Sequence, residues 1–274
     1  MSTNELRFEK ATLPEKLSLK LFEKDVVIKF QKPKTKNEVK RNSVRGKIDY
    51  FSYRSKRRLK LFARNTSHLW KVFIHLTYPK DFPFDGKRVK KHLDTFIKRL
   101  KRSYPDIEFM WVIEFQRRGA PHFHILTDRE VDKEWLSQNW YEVVGSGDIK
   151  HLWAGTRVEL VKSKNHAVAY VINYLNGNKN KLYQKIVPEE YKNVGRFWSH
   201  SKNALKTAEY IITDTPQNNR RNTRTLRRWY KAKLRSWGYP HWKWKGEGFT
   251  AWEGASFFNE LKKRGLPNDL TQYF

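Results

Sequence analysis

The stretch Phe109-Met-Trp-Val-Ile-Glu-Phe-Gln-Arg-Arg-Gly-Ala-Pro-His-Phe-His-Ile-Leu-Thr127 decides the fold. Residues 109–116 (FMWVIEFQ) and 121–127 (PHFHILT) are rich in β-branched and aromatic side chains, and Arg117-Arg118-Gly119 separates them. A three-residue loop with glycine in the left-handed position closes an antiparallel hairpin. In that register Gln116 pairs with Ala120, and Glu114 sits opposite His122. Strand side chains alternate with period two, so His122 and His124 share a face, and Glu114 joins them from the neighbouring strand. Phe123 points to the opposite, apolar face. Two imidazoles and a carboxylate on rigid backbone leave coordination positions open, as a catalytic divalent cation requires. A His-x-His pair on its own is more often two surface imidazoles. A face of Glu, His and His is poor core material unless something binds it.

The flanking sequence extends the sheet. Residues 72–78 (VFIHLTY) read as a strand ended by Pro79. Asp85-Gly86 opens a helix in which Val89, Leu93, Phe96, Ile97 and Leu100 form one apolar stripe, and Pro105 stops it. A short helix follows from an Asp132 cap to about Val143, then a strand at 157–161 (RVELV) and a helix at 165–175 (NHAVAYVINYL) before Gly177. The order β-α-β-β-α-β-α describes an α+β fold, an antiparallel sheet with helices packed on it.

On the helix at 165–175, Val168, Val171, Ile172 and Leu175 cluster as the buried stripe. Tyr170 and Tyr174 lie about 40° apart on the other side. Two tyrosines at this spacing are ordinarily core residues, but here aliphatics already occupy the core face. A phenol oxygen, once activated, is a usable nucleophile. His166 stands one turn earlier as a surface group or a contact to DNA.

Composition supplies the partner class. The chain has 274 residues, 57 Lys and Arg against 28 Asp and Glu, and a net charge of +29. Such an excess suits a polyanion. There is no cysteine, which excludes disulfide scaffolds, thiolate metal sites and a Cys nucleophile. No apolar run approaches a membrane span, and the first ten residues lack the apolar core of a signal peptide, so a cytoplasmic location without membrane association is expected. No GxxxxGK[ST] run occurs, so strand separation is left to a separate helicase or to supercoiling.

Charge also divides the chain: a basic N-terminal region at 1–70, a more evenly composed domain at 71–215, and a basic, Trp-rich region at 216–274. The polar runs 32–47 and 214–223 read as linkers. Residues 216–245 hold ten Lys or Arg, six aromatics and no acid. Arg224, Arg227, Arg228 and Trp229 are expected to contact DNA there, the tryptophan by stacking on bases. The competing reading is a small folded subdomain with the tryptophans in its core. Arg117, Arg118, Lys179 and Lys181 are the matching candidates in the central domain.

FIHLTYP at 73–79, HFH at 122–124 with Glu114 upstream, AYVINYL at 169–175 and GRFW at 195–198 together resemble the HUH endonuclease superfamily. Within it they resemble the rolling-circle replication initiators of small single-stranded DNA phages and plasmids. The resemblance covers roughly residues 70–200 and rests on the ordered set of motifs. It implies an RNA-recognition-motif-like or ferredoxin-like nuclease domain. It also implies a divalent cation, Mg²⁺ or Mn²⁺, held by His122 and His124 with Glu114 as third ligand by position, and Tyr170 and Tyr174 as nucleophiles. The implied reaction nicks and rejoins single-stranded DNA at a replication origin, including one folded as a hairpin, through a 5′-phosphotyrosine. Partners would be a host helicase and polymerase in a prokaryotic cell. The family often has Lys three residues after the tyrosine, whereas this chain has Asn173 and Gly177 there. An HUH transposase, a relaxase and a non-catalytic DNA-binding regulator are the alternatives. Absence of a Cys-rich module disfavours the first, motif order the second, and the opposed tyrosines the third.

Overall fold

The computed structural model describes residues 16–31, 48–66, 68–163, 186–206, 208–213, 216–238 and 249–252. The chain divides into two units, one formed by 1–43 with 206–274 and one by 44–205. The first two strands and the last helix thus belong to one unit, while the helix at 53–65 belongs to the other.

The unit 44–205 is built on five antiparallel strands. In chain order its elements are α1 (Tyr53–Asn65), β3 (Val72–Thr77), α2 (Gly86–Ser103), β4 (Phe109–Phe115), β5 (Pro121–Thr127), α3 (Lys133–Val144), α4 (Ile149–Ala154), β6 (Thr156–Leu160) and β7 (Trp198–His200). The sheet order is β6-β3-β5-β4-β7. The run β3-α2-β4-β5-α3-β6 is the βαββαβ unit of ferredoxin-like folds, and β7 extends the sheet beyond β4. This is the α+β fold expected from the sequence. The expected helix at 165–175, with Tyr170, Tyr174 and His166, lies outside the described residues.

The period-two pattern of the strands sorts the two faces. Ile74 and Leu76 of β3, Ile113 and Phe115 of β4, and Phe123 and Ile125 of β5 point to one side. They pack with Val89, Leu93, Phe96 and Leu100 of α2 and Leu136, Trp140 and Val144 of α3. Asp85 caps α2 by accepting from Lys87 N at 2.8 Å, and Asp132 caps α3 by accepting from Trp135 N at 2.7 Å. On the other side, Phe73, Met110, Val112 and Leu126 pack with Leu59, Phe62 and Ala63 of α1 and with Trp70 and Trp198. That second face is apolar only over part of its area. Farther along the same strands its residues are His75, Thr77, Glu114, His122 and His124.

The other unit, among its described residues, is a four-stranded antiparallel sheet and one helix. The strands are β1 (Lys16–Leu21), β2 (Val26–Gln31), β8 (Ala208–Thr213) and β9 (Phe249–Ala251), in the order β8-β1-β2-β9. The helix α5 (Pro216–Ser236) lies against β1. Leu226 and Tyr230 of α5 are buried, and the Tyr230 hydroxyl donates to Trp252 O at 2.9 Å. The segment 216–236 is thus a packed helix. No helix among the described residues is long and apolar enough to cross a membrane.

Candidate metal centre

The hairpin places the site. Its loop is closed by Gln116 N to Ala120 O at 2.9 Å and Gly119 N to Gln116 O at 2.8 Å. Gly119 has φ +81°, the left-handed conformation that glycine adopts without steric cost. The register is the one read from sequence: Glu114 pairs with His122, and Val112 with His124. On the other edge of β5, β3 brings His75 opposite His124 and Thr77 opposite His122.

Three imidazoles therefore converge. His75, His122 and His124 each offer a ring nitrogen within 4.8 Å of the others. The rings of His75 and His124 meet edge to face with centroids 4.8 Å apart, and those of His122 and His124 likewise at 4.4 Å. The sequence alone does not single out the third imidazole. Its signal lies in the FIHLTYP run, where His75 has the parity of Phe73 and Thr77, but the neighbour of β5 becomes definite only once β3 is paired.

Glu114 shares the face, as expected, yet its carboxylate is turned to His124: Oε2 lies 2.9 Å from Nε2. The residue is 8% exposed, a position that a carboxylate occupies at little cost only with a strong partner. A carboxylate accepts, so Nε2 of His124 carries the proton and Nδ1 holds the lone pair. His122 is oriented differently, with Nδ1 3.0 Å from Thr77 Oγ1, which leaves Nε2 for a ligand. Nε2 of His75 is buried and makes no hydrogen bond among the described residues; the nearest carboxylate oxygen, Oε1 of Glu159, is 3.9 Å away.

Electrostatics favour neutral imidazoles. Burial, with the neighbouring His124 adding to it, lowers the pKa of His75 to about 4. Burial, then His124, His75 and Arg118, lowers that of His122 to about 3. Metal ligation requires the unprotonated ring, so at neutral pH neither must lose a proton first. The donor set fits a divalent cation: nitrogen lone pairs brought together, one buried nitrogen lacking a hydrogen bond, and a carboxylate beside them.

Thr77 is itself held from behind. Its carbonyl accepts from Trp140 Nε1 and His151 Nε2, each at 2.9 Å. Ser146 Oγ stands 2.9 Å from Nδ1 of His151. Gly155 closes this support: Thr77 N donates to its carbonyl at 2.8 Å, and a Cβ at 155 would lie 2.4 Å from His151 O.

The candidate DNA contacts are placed unevenly. Arg117 is exposed in the hairpin loop. Arg118 is occupied structurally: its guanidinium donates to the carbonyls of Tyr78, Pro79 and Lys80 at 2.6–3.0 Å and lies over the Phe82 ring. It ties the hairpin loop to the segment after β3, a role that local sequence does not signal. Arg224 and Arg228 are exposed on α5, while Arg227 and Trp229 are half-buried. Tyr170, Tyr174, Lys179 and Lys181 lie outside the described residues.

Residues 71–180, less than half of the chain, match the model of a family of replication-associated proteins of the ORF2 type. That match supports a role in replication, and it spans β3, β4 and β5 with all four site residues. Among solved structures, the hypothetical protein ORF119 from Sulfolobus islandicus rod-shaped virus 1 is similar at 17% identity over 43% of this chain and 89% of that chain. The TM-score is 0.29, a level at which the likeness carries no argument. No curated protein matches significantly.

Proposed function

We propose that this protein is a replication initiator that nicks and rejoins single-stranded DNA at an origin, with a divalent cation held by His75, His122 and His124 and a tyrosine nucleophile. The observation that carries the reading is the cluster of three imidazoles on one sheet face, inside the segment matched by the replication-associated family. The tyrosines enter from the HUH resemblance of 169–175, as Tyr170 and Tyr174.

In this reading each residue has a distinct task. His75, His122 and His124 present neutral nitrogens, and Glu114 and Thr77 fix the rings of His124 and His122. A cation bound there supplies Lewis-acid polarisation of a non-bridging phosphate oxygen. The hydroxyl of Tyr170 or Tyr174 attacks phosphorus: a Tyr O–P bond forms, the P–O3′ bond breaks, and the proton passes to the departing 3′ oxygen. The products are a 5′-phosphotyrosine and a 3′-OH able to prime synthesis. Attack by a 3′-OH on that linkage rejoins the strand. An all-imidazole set favours Mn²⁺ or a later transition metal over Mg²⁺, which prefers oxygen ligands. A host helicase and polymerase would complete replication. The basic residues supply affinity for DNA without sequence choice.

The test is incubation with Mn²⁺ and single-stranded oligonucleotides tiling the DNA that flanks the gene, followed by a denaturing gel. A covalent protein–DNA band is expected, and it should vanish in EDTA. Binding without any covalent band would select a non-catalytic regulator instead.

A further inference from the structure

Helix α5 has two chemically opposed sides. At 100° per residue, Thr223, Leu226, Tyr230 and Leu234 fall within an arc of about 80°, and all four are buried. Arg221, Arg224, Arg228, Lys231 and Arg235 fall within a second arc of about 80° on the far side. Four of these five are exposed and Lys231 is half-buried. None takes part in the ion pairs found among the described residues, and α5 itself contains no acid.

We propose that this row is a docking surface for double-stranded DNA. The cations step along the helix by three and four residues, about 5 Å per step and about 21 Å end to end. A straight, regularly charged rod suits a stiff, regular polyanion, and the major groove of a duplex is wide enough to admit a helix. Single-strand surfaces depend on aromatic platforms for the bases, and the row has none. The nearest aromatics are committed: Trp229 is half-buried, and Lys233 Nζ lies over the Trp237 ring at 5.6 Å. Four of the five cations are arginines, whose planar fork matches phosphate oxygens. The duplex surface goes beyond the nicking reaction and uses no residue of the metal centre.

The test is fluorescence anisotropy of the full chain in EDTA across a salt series. The probes are a mixed-sequence duplex two helical turns long and one of its separated strands. EDTA removes any metal chemistry, so the outcome is independent of whether the nicking proposal holds. In Arg224→Ala/Arg228→Ala/Arg235→Ala the slope of log K against log salt on the duplex should fall by about 2.7, about 0.9 per cation, and on the single strand by less than one. The corresponding triple lysine variant should keep the native slope. Single alanine variants, each reading about 0.9, serve if the triple variant misfolds. An unchanged duplex slope overturns the proposal. So does a fall of about 2 on the single strand, the share expected if these cations bind single-stranded DNA. Loss of duplex binding in the lysine variant also overturns it, because charge would then not be the cause.

Discussion

Thr77 Oγ1 lies 3.0 Å from Nδ1 of His122, while the carbonyl of the same threonine accepts from Trp140 and His151. One residue thus links the site face of the sheet to the α3 and α4 side. The imidazole that must meet a cation is aimed by a hydroxyl, and that hydroxyl is fixed by donors outside the site.

Thr77→Val should therefore keep the fold and lose the orientation of His122. Loss of a hydrogen bond of this kind costs about 1 kcal/mol in stability, and partners of metal ligands typically account for about tenfold to a hundredfold in metal affinity. Calorimetric Mn²⁺ titration of Thr77→Val and Thr77→Ser separates the two roles. The serine variant should bind like the native protein and the valine variant at least tenfold more weakly. Equal affinities in all three would remove Thr77 from the site.

Gly155→Ala reaches the same residue from behind. The added methyl has no room beside His151 O and the His151 ring, so α4 must shift and carry His151 off the Thr77 carbonyl. Thermal melting should show a loss of about 1–3 kcal/mol, the range for an overpacked site. A native melting temperature would show that the turn relaxes without cost.

Glu114→Gln keeps the shape of the side chain and removes its charge. His124 would lose its charged acceptor, and metal affinity should drop while DNA binding persists. His122→Ala and His124→Ala should abolish cleavage and largely spare DNA binding, because the exposed cations supply most of the affinity. Full metal-dependent nicking by the double alanine variant would contradict the site.

Acid should destabilise the metal-free protein earlier than ordinary carboxylates require. The folded pKa values of His75 and His122, about 4 and about 3, lie below the ordinary value of 6.5. Below 6.5 the unfolded chain takes up protons that the folded chain refuses, so these two groups contribute stability that is full above pH 6.5. It is lost as the pH falls toward 4 and 3. Melting temperatures measured in EDTA from pH 7 to 4 should decline, and His75→Asn/His122→Asn should flatten the decline. An identical pH profile in the variant would mean that neither histidine is held neutral.

The two tyrosines separate by substitution. If both hydroxyls serve one phosphate, Tyr170→Phe and Tyr174→Phe each leave some covalent adduct and the double variant leaves none, while complete strand transfer suffers in either single variant. An adduct mapped only to Tyr174, with Tyr170→Phe fully active, would make this a one-tyrosine enzyme.

Much of the central sheet is legible in the sequence because its signals are local. Alternation in 109–127, a glycine where the loop needs positive φ, and Asp caps before α2 and α3 each act within a few residues, and the hairpin register follows from them. What escapes depends on pairing between distant segments. His75 acquires its meaning only when β3 lies beside β5, and Arg118 only when the loop meets the carbonyls of 78–80. β1 and β2 are hidden inside a basic N-terminal region because lysines alternate with their apolar residues, although KLSLKL at 16–21 has the period of a half-buried strand. In helix α5 the charge dominates the pattern, while the buried stripe of Leu226, Tyr230 and Leu234 is equally present in the spacing.

The central claim is that His75 joins His122 and His124 in holding a divalent cation, and Mn²⁺ titration of the native protein and His75→Ala tests it most directly. Followed by electron paramagnetic resonance of free Mn²⁺, the native chain should take up one equivalent, and His75→Ala should bind at least tenfold more weakly with its fold unchanged by circular dichroism. Equal uptake by native protein and His75→Ala would contradict the three-imidazole site.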